Sequence, residues 1–391
     1  MRILLLSFYF EPDLSAGSFR MVGLVEALQR QIGPEVRIDI LTTQPNRYAS
    51  YSQAALPEEV RGAVTVKRFP LPAHRSGFLD QSRAFAAYAY QVTKVTRGIQ
   101  YDLVFATSSR LFTAALGAFV ALRMRVPLYL DIRDIFVDTL QDVLSPLVAR
   151  LMLPVFRFVE KWTVRRAAHV NLVSAGFLEY FNDRYPSACF SVIPNGIDDL
   201  FMGVDYAKET VGSKTIMLYA GNIGEGQGLV RIIPGLAKAF RDSHEFWVVG
   251  DGGQRSELES AVNDLSNVKI MSPVSRTDLL ALYRGSDILF LHLNDYPAFR
   301  KVLPSKLFEY AVTGKPIVAG VAGYAALFFQ QVPGAVVFQP CDVEEGVAVI
   351  RDVKPGLVSR QSFVQRYRRA QLMQELASSL LTVAKSGASQ G

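Results

Sequence analysis

Short apolar runs alternate with longer segments of helical periodicity in the first half of the chain. The pattern predicts strands at 3–8, 36–41, 64–69, 103–106, 127–132, 170–173 and 191–194, and helices at 19–31, 78–98, 111–124, 147–168 and 177–183. The strand segments are almost continuously apolar, as expected of parallel strands that are covered on both faces. Strands that alternate with helices in this way predict an α/β, doubly wound parallel sheet.

A second alternation of the same kind begins at residue 216. It predicts strands at 216–220, 245–249, 268–271 and 288–291 and near 317 and 336, and helices at 229–240, 255–265, 277–285, after 304 and at 362–384. Asn195-Gly196 follows the last strand of the first alternation and marks the boundary. We therefore predict one domain at 1–195, a second at 196–361, and a helical tail at 362–391.

Composition excludes several classes of protein. The chain has 391 residues, enough for two domains, but only two cysteines and four histidines. A disulfide framework and a His/Cys metal cluster are therefore not expected. The net charge of +6 suits an anionic substrate or membrane surface but is too diffuse to indicate nucleic acid. No G-x-G-x-x-G follows the first strand, so a dinucleotide cofactor lacks its fingerprint.

The stretch from Val302 to Ala311 is the strongest candidate for a binding site. Pro304 can occupy the first turn of a helix, and Gly314 ends that helix. Lys306 and Glu309 then lie in the first turns, near a helix N-terminus that favours an anion such as a diphosphate. The alternative is a capped helix whose Lys306 and Glu309 form only a surface ion pair.

Two strand ends in the first half carry further candidates. Gly17 and Ser18 lie at a strand-to-helix turn, where glycine permits close backbone approach and Ser18 can cap the helix. Asp131, Arg133 and Asp134 lie at the carboxyl end of the strand at 127–132, at the edge of an open α/β sheet where ligands bind. The alternative for these charges is a salt bridge between Arg133 and an aspartate at the strand end.

The predicted helix at 147–168 carries a row of cations beside aromatic residues. Arg150, Arg157, Lys161 and Arg165 share one helical stripe, with Phe158 and Trp162 nearby, and Pro154 predicts a kink or a break. The stripe is either a solvated surface with snorkelling side chains or a contact with an anionic membrane surface. The apolar segment at 111–130 is interrupted by arginines and is not predicted to span a membrane.

Several motifs in a fixed order resemble the glycosyltransferase family 4 group. They are Val192-Ile193-Pro194-Asn195-Gly196-Ile197-Asp198, Ala220-Gly221-Asn222-Ile223-Gly224, Val249-Gly250-Asp251-Gly252, Ser286-Asp287-Ile288, and Pro304 to Tyr310 with Gly314-Lys315-Pro316. The resemblance covers nearly the whole chain and implies a GT-B fold. That fold has two Rossmann-like domains facing across a cleft, an N-terminal acceptor domain and a C-terminal nucleotide-sugar domain, and a last helix that returns to the first domain.

The resemblance also implies which residues bind the donor. Glu309 matches the family's ribose-binding glutamate, whereas the partner glutamate falls on Lys301, and the usual Arg and Lys of the glycine-rich loop fall on Asn222 and Gln227. The expected donor-binding residues are Gly17, Ser18, Gly221, Asn222, Gln227, Asp251, Arg300, Lys301, Ser305, Lys306, Leu307 and Glu309. What remains to balance a diphosphate is Lys306, Lys301, Arg300, the helix N-terminus and the backbone of Gly17-Ser18. No metal ion and no other cofactor is implied.

The expected catalytic residues are Asp131, Arg133, Asp134 and Lys306. The family usually has a histidine followed by an aspartate where this chain has Arg133 and Asp134, so the group that activates the acceptor stays open. A retaining GT-B reaction needs no covalent nucleophile, since the leaving phosphate can take the acceptor proton. The protein then contributes orientation and electrostatic stabilisation.

The expected function is therefore a retaining glycosyltransferase of bacterial surface-polysaccharide synthesis. The donor is expected to be a nucleotide-sugar, UDP-linked, with an N-acetylated amino sugar as one possibility, and the acceptor a lipid-linked or other saccharide. The alternatives are a non-catalytic nucleotide-sugar-binding subunit and a GT-B nucleotide-sugar epimerase. The expected location is the cytoplasm, with peripheral attachment to the inner face of the cell membrane left open.

Overall fold

The computed structural model describes residues 1–33, 35–46, 54–72, 78–108, 111–143, 146–208 and 212–388. The chain forms two compact units, one of Met1–Asn195 with Ala370–Gly391 and one of Gly196–Arg369. Each unit is built around its own sheet. The prediction of an α/β chain with two parallel sheets is confirmed by this topology.

In the described part of the first unit, the strands form one sheet. They are β1 (Arg2–Leu6), β2 (Arg37–Thr43), β3 (Glu58–Arg61), β4 (Val64–Phe69), β5 (Leu103–Thr107), β6 (Leu128–Ile132), β7 (His169–Leu172) and β8 (Phe190–Val192). Their order is β3-β4-β2-β1-β5-β6-β7-β8, and every pairing is parallel except that of β3 with β4. The central strands β5 and β6 are buried along their whole length, which explains why they consist almost entirely of apolar residues.

Helices cover both faces of this sheet. They are α1 (Ala16–Gln31), α2 (Phe78–Val95), α3 (Leu111–Met124), α4 (Phe136–Val143), α5 (Pro146–Val164) and α6 (Leu178–Arg184). The side chains of α3, α4 and α5 pack around Leu111, Val137, Leu153 and Phe156. This apolar cluster joins the three helices to one another.

The second unit repeats the architecture on a smaller scale. Its strands are β9 (Thr215–Ala220), β10 (His244–Val249), β11 (Val268–Met271), β12 (Ile288–His292), β13 (Ile317–Gly320) and β14 (Ala335–Phe338). Its helices are α7 (Leu229–Ala239), α8 (Arg255–Ala261), α9 (Arg276–Gly285), α10 (Lys306–Val312), α11 (Tyr324–Phe329), α12 (Val343–Asp352) and α13 (Gln361–Arg366). The strand order is β11-β10-β9-β12-β13-β14, all parallel.

The last helix, α14 (Arg369–Ala388), belongs almost entirely to the first unit. The hydroxyls of Ser379 and Tyr129 of β6 are 2.9 Å apart, and Gln31 donates to the carbonyl of Gln374 at 2.9 Å. The two ends of the second unit lie side by side, since Ile197 N donates to Tyr367 O and Arg369 N donates to Ile197 O, both at 2.7 Å.

The structure corrects several predicted elements. Helix α1 begins at Ala16 rather than at 19, and the expected helix at 147–168 is α5, which continues through Pro154 without a break. The tail at 362–384 is split into α13 and α14. Strand β3 and the helices α4, α11 and α12 were not predicted, and β3 is too polar and exposed to show an apolar pattern.

Candidate active site

The strand order of the second unit identifies where a ligand would bind. From β9 the chain continues to β10 and β11 on one side of the sheet, whereas β12, β13 and β14 lie on the other side. Ligands of open α/β sheets bind beyond the carboxyl ends of the strands at such a reversal. Here those ends lead into the loop at 221–228 and into the segment at 293–305 that precedes α10. The hydroxyl of Tyr310 accepts from Ala220 N at 3.0 Å and fixes α10 to the end of β9.

The loop at 221–228 is paired with its neighbour beyond the strands. Gly221 N donates to Val249 O at 2.9 Å, and Ile223 N donates to Asp251 O at 2.8 Å. Gly250 has a φ of 152°, and a Cβ at this position would lie 1.8 Å from the carbonyl oxygen of Gly221. Only glycine permits this approach of two backbones, which explains the glycine of the 249–252 motif. Asp251 accepts from Gly252 N at 2.8 Å and so lies on the same loop pair.

His292, the last residue of β12, binds the same loop through its imidazole ring. Its Nδ1 lies 2.7 Å from Gln227 O, and its Nε2 accepts from Cys341 N at 2.9 Å. An Nε2 that accepts must be unprotonated, so Nδ1 carries the proton and donates it to Gln227. Burial lowers the pKa of His292 from 6.5 to about 4 and keeps the ring neutral, although the bond to Gln227 acts in the opposite direction.

Asn294 completes the attachment of the loop. Its backbone N donates to Gly226 O at 2.9 Å, and its Nδ2 donates to Glu225 O at 3.0 Å. Its Oδ1 accepts from Arg231 of α7 at 3.1 Å. The segment after β12 thus sets the position of the glycine-rich loop.

Asn222 and Gln227 are the two loop residues that, by the sequence resemblance, are expected to stand in place of cations. Asn222 Nδ2 donates to Gln227 Oε1 at 2.8 Å, and Gly224 N donates to the same oxygen at 3.3 Å. The two amides therefore stabilise the loop internally. Neither residue supplies charge to a bound anion, so a diphosphate at this loop would need its cation from elsewhere.

Helix α10 places Lys306 and Glu309 together. Lys306 Nζ lies 2.7 Å from Glu309 Oε2, and the hydroxyl of Tyr283 donates to the same oxygen at 3.1 Å. The side chain of Glu309 is 8% exposed and that of Lys306 is 28% exposed, so this is not the surface pair of the alternative interpretation. Burial alone would raise the pKa of Glu309, but the charge and hydrogen bond of Lys306 hold it below its ordinary value.

The remaining donor candidates of the second unit lie around α10. Ser305 precedes the helix without making a side-chain capping bond, and α10 has only seven residues. Leu307 is fully buried, so only its backbone can contact a ligand. Arg300 and Lys301 belong to the 3₁₀ turn Pro297–Lys301, where Arg300 donates to Asp295 at 3.1 Å on the surface.

In the first unit, the structure brings Gly17 and Arg133 together. The sheet order reverses between β1 and β5, and Gly17 lies after β1. A Cβ at Gly17 would lie 3.6 Å from Arg133 Nε, and Arg133 N donates to Ser108 Oγ at 3.0 Å. The expected cap of α1 is wrong, because Ser15 caps the helix by accepting from Ser18 N at 3.1 Å. Ser18 is fully buried, and its Oγ has no hydrogen-bond partner among the described residues.

Asp131 lies in a buried ion-pair network, and its expected place on the acceptor side stays a prediction. The residue is fully buried, and Arg20 of α1 binds both of its carboxylate oxygens at 2.9 Å. Asn171 donates to the same carboxylate at 2.8 Å. Arg20 also donates to Pro194 O at 2.7 Å and to Ile193 O at 3.0 Å, so the network attaches the end of the first unit to its core.

Asp134 differs from Asp131 because its side chain is exposed, beyond β6 and before α4. Arg20, which was not predicted, forms the ion pair with Asp131. His292, Asn294 and Tyr310 were also missed. The signal for His292 and Asn294 is their polar character at the end of β12, beside the reversal of strand order, and that order cannot be read from the sequence.

The described residues contain neither a cluster of metal-ligating side chains nor a helix suited to span a membrane. In the ranges given above, no group of three or more His, Cys, Asp or Glu side chains could hold a metal ion. Among the helices that the structure describes, none combines the length and apolarity needed to cross a membrane.

Each half of the chain matches a known protein family. Residues 17–196 match the family described as "Glycosyl transferase 4-like domain", and residues 214–353 match "Glycosyl transferases group 1". The putative colanic acid biosynthesis glycosyl transferase WcaI of Escherichia coli K12 is 35% identical over 144 residues, which are 36% of this chain and 35% of that protein. The 2-deoxystreptamine glucosyltransferase of Streptomyces kanamyceticus is 26% identical over 283 residues, which cover 66% of this chain and 71% of that enzyme.

Solved structures give the same fold. A sucrose-phosphate synthase from Thermosynechococcus elongatus superposes with a TM-score of 0.67 at 16% identity, over 100% of this chain and 98% of that one. HepE from Anabaena, solved in complex with UDP-glucose, superposes with a TM-score of 0.61 at 18% identity. The match covers 100% of this chain and 99% of HepE. The two family matches together span most of the chain, and the solved structures share its fold. The chain therefore belongs to the GT-B glycosyltransferases of family 4 type.

Proposed function

We propose that the protein transfers a sugar, with retention, from a UDP-linked nucleotide-sugar to a lipid-linked or other saccharide acceptor in bacterial surface-polysaccharide synthesis. The observation that carries the proposal is the Lys306–Glu309 pair beside the glycine-rich loop, at the reversal of strand order in the second unit. A buried, ionised carboxylate next to a half-exposed ammonium group suits a ligand with ribose hydroxyls and phosphates.

Glu309 is proposed to bind the ribose. Among the described residues, both of its hydrogen bonds use Oε2, so Oε1 is left to accept from a ribose hydroxyl. The lowered pKa of Glu309 keeps the carboxylate ionised, which strengthens such a bond. The ribose can then bind without displacing Lys306.

Lys306 is proposed to neutralise the donor diphosphate, with help from Arg300, Lys301 and the backbone N–H groups of the loop. An ammonium group has three protons, and Glu309 takes only one of them. Because Asn222 and Gln227 carry no charge, Lys306 has a larger share of the electrostatic stabilisation than in relatives with cations in the loop. That stabilisation acts as negative charge develops on the leaving diphosphate.

On the acceptor side, Arg133 and Asp134 are proposed to orient the reacting groups, and Gly17 allows a ligand to approach the backbone near Arg133. The leaving phosphate takes the acceptor proton, so no protein base and no covalent nucleophile are invoked. Asp134→Asn should lower kcat while donor affinity stays nearly unchanged. A loss of donor binding together with the fold would make the residue structural.

The sugar and acceptor are proposed from relatives. The HepE structure contains UDP-glucose, and the WcaI relative is named as a putative glycosyl transferase of colanic acid biosynthesis. A UDP-hexose is therefore the first donor to test, with UDP-N-acetylhexosamines second. A lipid-linked acceptor would give a purpose to the cations Arg150, Arg157, Lys161 and Arg165, which we propose attract the protein to an anionic membrane surface at the cytoplasmic face.

The test is a thermal-shift screen of nucleotide-sugars followed by an assay of nucleotide release. A donor at about 100 times its Kd should stabilise the protein by about 2.7 kcal/mol. Release of nucleotide that depends on an acceptor supports transfer. Binding without any release by the purified protein would instead favour the non-catalytic subunit, for which the uncharged Asn222–Gln227 pair is the motivating observation.

A further inference from the structure

Helix α5 carries apolar side chains on two opposite faces. Its inner face packs into the first unit through Ala149, Leu153 and Phe156. Its outer face exposes large apolar residues in a ridge with helical spacing: Val148, Leu151, Val155 and Phe158 are 43%, 70%, 53% and 69% exposed, and Trp162 continues the row. An exposed apolar ridge of this length marks a binding surface rather than a chance distribution.

Cations border the ridge. Arg150, Arg157, Lys161 and Arg165 follow one side of it, and Arg166 lies against the ring of Trp162 at 5.0 Å. A shallow groove of about 590 Å³ runs along its carboxyl-terminal part, lined by Phe158, Lys161, Trp162, Arg165 and Arg166. Cations and aromatic rings around one groove suit a phosphate headgroup with apolar chains attached.

The outer face of α5 lacks acidic side chains. The only acidic residue of this helix is Glu160, which is buried and accepts from the hydroxyls of Tyr180 and Tyr185, both at 2.9 Å. A second copy of the chain packed face to face would set these cations against each other, which is unfavourable. An anionic lipid leaflet can bury the apolar ridge and can pair its phosphates with the cations.

We infer that the outer face of α5 is a membrane-docking surface whose apolar ridge enters the leaflet while the bordering cations bind lipid phosphates. This inference deepens the proposed function, on which it rests for its purpose, because electrostatic attraction alone would not bury Leu151, Val155 and Phe158. Insertion predicts binding that survives salt, whereas attraction by charge is largely screened at about 1 M salt.

The experiment measures sedimentation of the full chain with vesicles of phosphatidylglycerol and phosphatidylcholine in equal parts, at about 0.1 M and about 1 M salt. Wild type should retain measurable binding at high salt. The double variant Leu151→Gln/Phe158→Gln should lower the partition coefficient about tenfold or more at both salts, because two side chains no longer leave water. Gln keeps the helix propensity of both positions.

Two control variants separate charge from insertion. Leu327→Gln/Leu357→Gln changes two leucines of the second unit that are 61% and 53% exposed, and it should bind like wild type. Replacing the four cations Arg150, Arg157, Lys161 and Arg165 by Gln should weaken binding at low salt but leave the salt-resistant part. Urea unfolding of each variant verifies that the fold is intact.

A direct readout comes from Trp162. The chain has two tryptophans, so Trp247→Phe leaves Trp162 as the only tryptophan, which can be excited selectively over tyrosine. Its emission should shift to the blue with vesicles and be quenched by lipids brominated on the acyl chains. Absence of quenching, or equal partitioning of the Leu151/Phe158 variant and wild type, would overturn the inference.

The outcome is independent of the proposed activity. Vesicle binding is measured without donor, and nucleotide-sugar binding is measured without vesicles. A protein that binds UDP-sugars but does not insert refutes only the docking surface. A protein that inserts but binds no nucleotide-sugar refutes only the proposed function.

Discussion

Lowering the pH should destabilise the second unit through His292. The pKa of this group is about 4 in the folded protein and 6.5 in the unfolded chain, so the unfolded state binds the extra proton in this window. The contribution of His292 to the free energy of unfolding is fully present above pH 6.5 and declines as the pH falls toward 4. At 1.36 kcal/mol per pH unit, the difference amounts to about 3 kcal/mol.

His292→Phe should remove this pH dependence and lower the stability at neutral pH. The phenyl ring has nearly the shape of the imidazole and can pack against Phe290 and Phe338, whose rings lie 6.1 and 6.0 Å from it. However, Gln227 O and Cys341 N would lose their partner. Two unsatisfied backbone groups should cost about 2–4 kcal/mol.

The assay follows urea unfolding by fluorescence across the pH range in a Trp162→Phe background, in which Trp247 of β10 reports on the second unit. His244→Gln is the matched control. Burial also lowers the pKa of His244, but this histidine is more exposed than His292, so its replacement should change the pH dependence of stability less. We expect the wild type and the control to lose stability steeply below pH 6.5, and His292→Phe to lose it less steeply.

The reasoning would be refuted by equal pH slopes for wild type and His292→Phe. It would also be refuted if the variant were as stable as wild type at pH 7. A third readout is the KM for the donor, which should rise in the variant because the loop at 225–228 loses its attachment to β12.

The remaining predictions concern the donor site and the buried network. Lys306→Ala should lower kcat/KM by about 2–4 kcal/mol of transition-state stabilisation, measured by steady-state kinetics, and an unchanged value would reject its role. Glu309→Gln should weaken binding of the free nucleoside diphosphate in calorimetry, whereas equal affinity would exclude ribose binding. Asp131→Asn should destabilise the fold by about 3–5 kcal/mol in urea, because it leaves the buried Arg20 unpaired, and the double change Arg20→Met/Asp131→Leu should cost less. Gly250→Ala should reduce the melting temperature, since its Cβ cannot fit against the neighbouring loop.

The overall architecture could be predicted because it depends on local pattern. Strands such as β5 and β6 are buried along their whole length, and their almost continuous apolar sequence reflects that position. The glycine and proline signals around α10 were equally local, and Gly314 has the positive φ of 74° expected after a helix end.

Long-range partners could not be predicted. Arg20 and Asp131 are 111 residues apart, and no periodicity connects an arginine in α1 with the end of β6. The partners of His292 are 65 and 49 residues away, at Gln227 and Cys341. The start of α1 was placed late because Ser15 and Ser18 are both acceptable capping residues, and only the backbone conformation of Ser15 distinguishes them.

The discontinuous first unit has a consequence for how the chain is made. Helix α14 packs against Tyr129 and Gln31 of the first unit but follows the second unit in the chain. The first unit can therefore be completed only after the ribosome has synthesised the whole second unit. The second unit is continuous, and its ends are already joined by the backbone bonds at Ile197. A gene fragment for 196–369 is therefore the natural piece to express alone, whereas a fragment that ends at Asn195 would leave apolar surface uncovered and would be expected to aggregate.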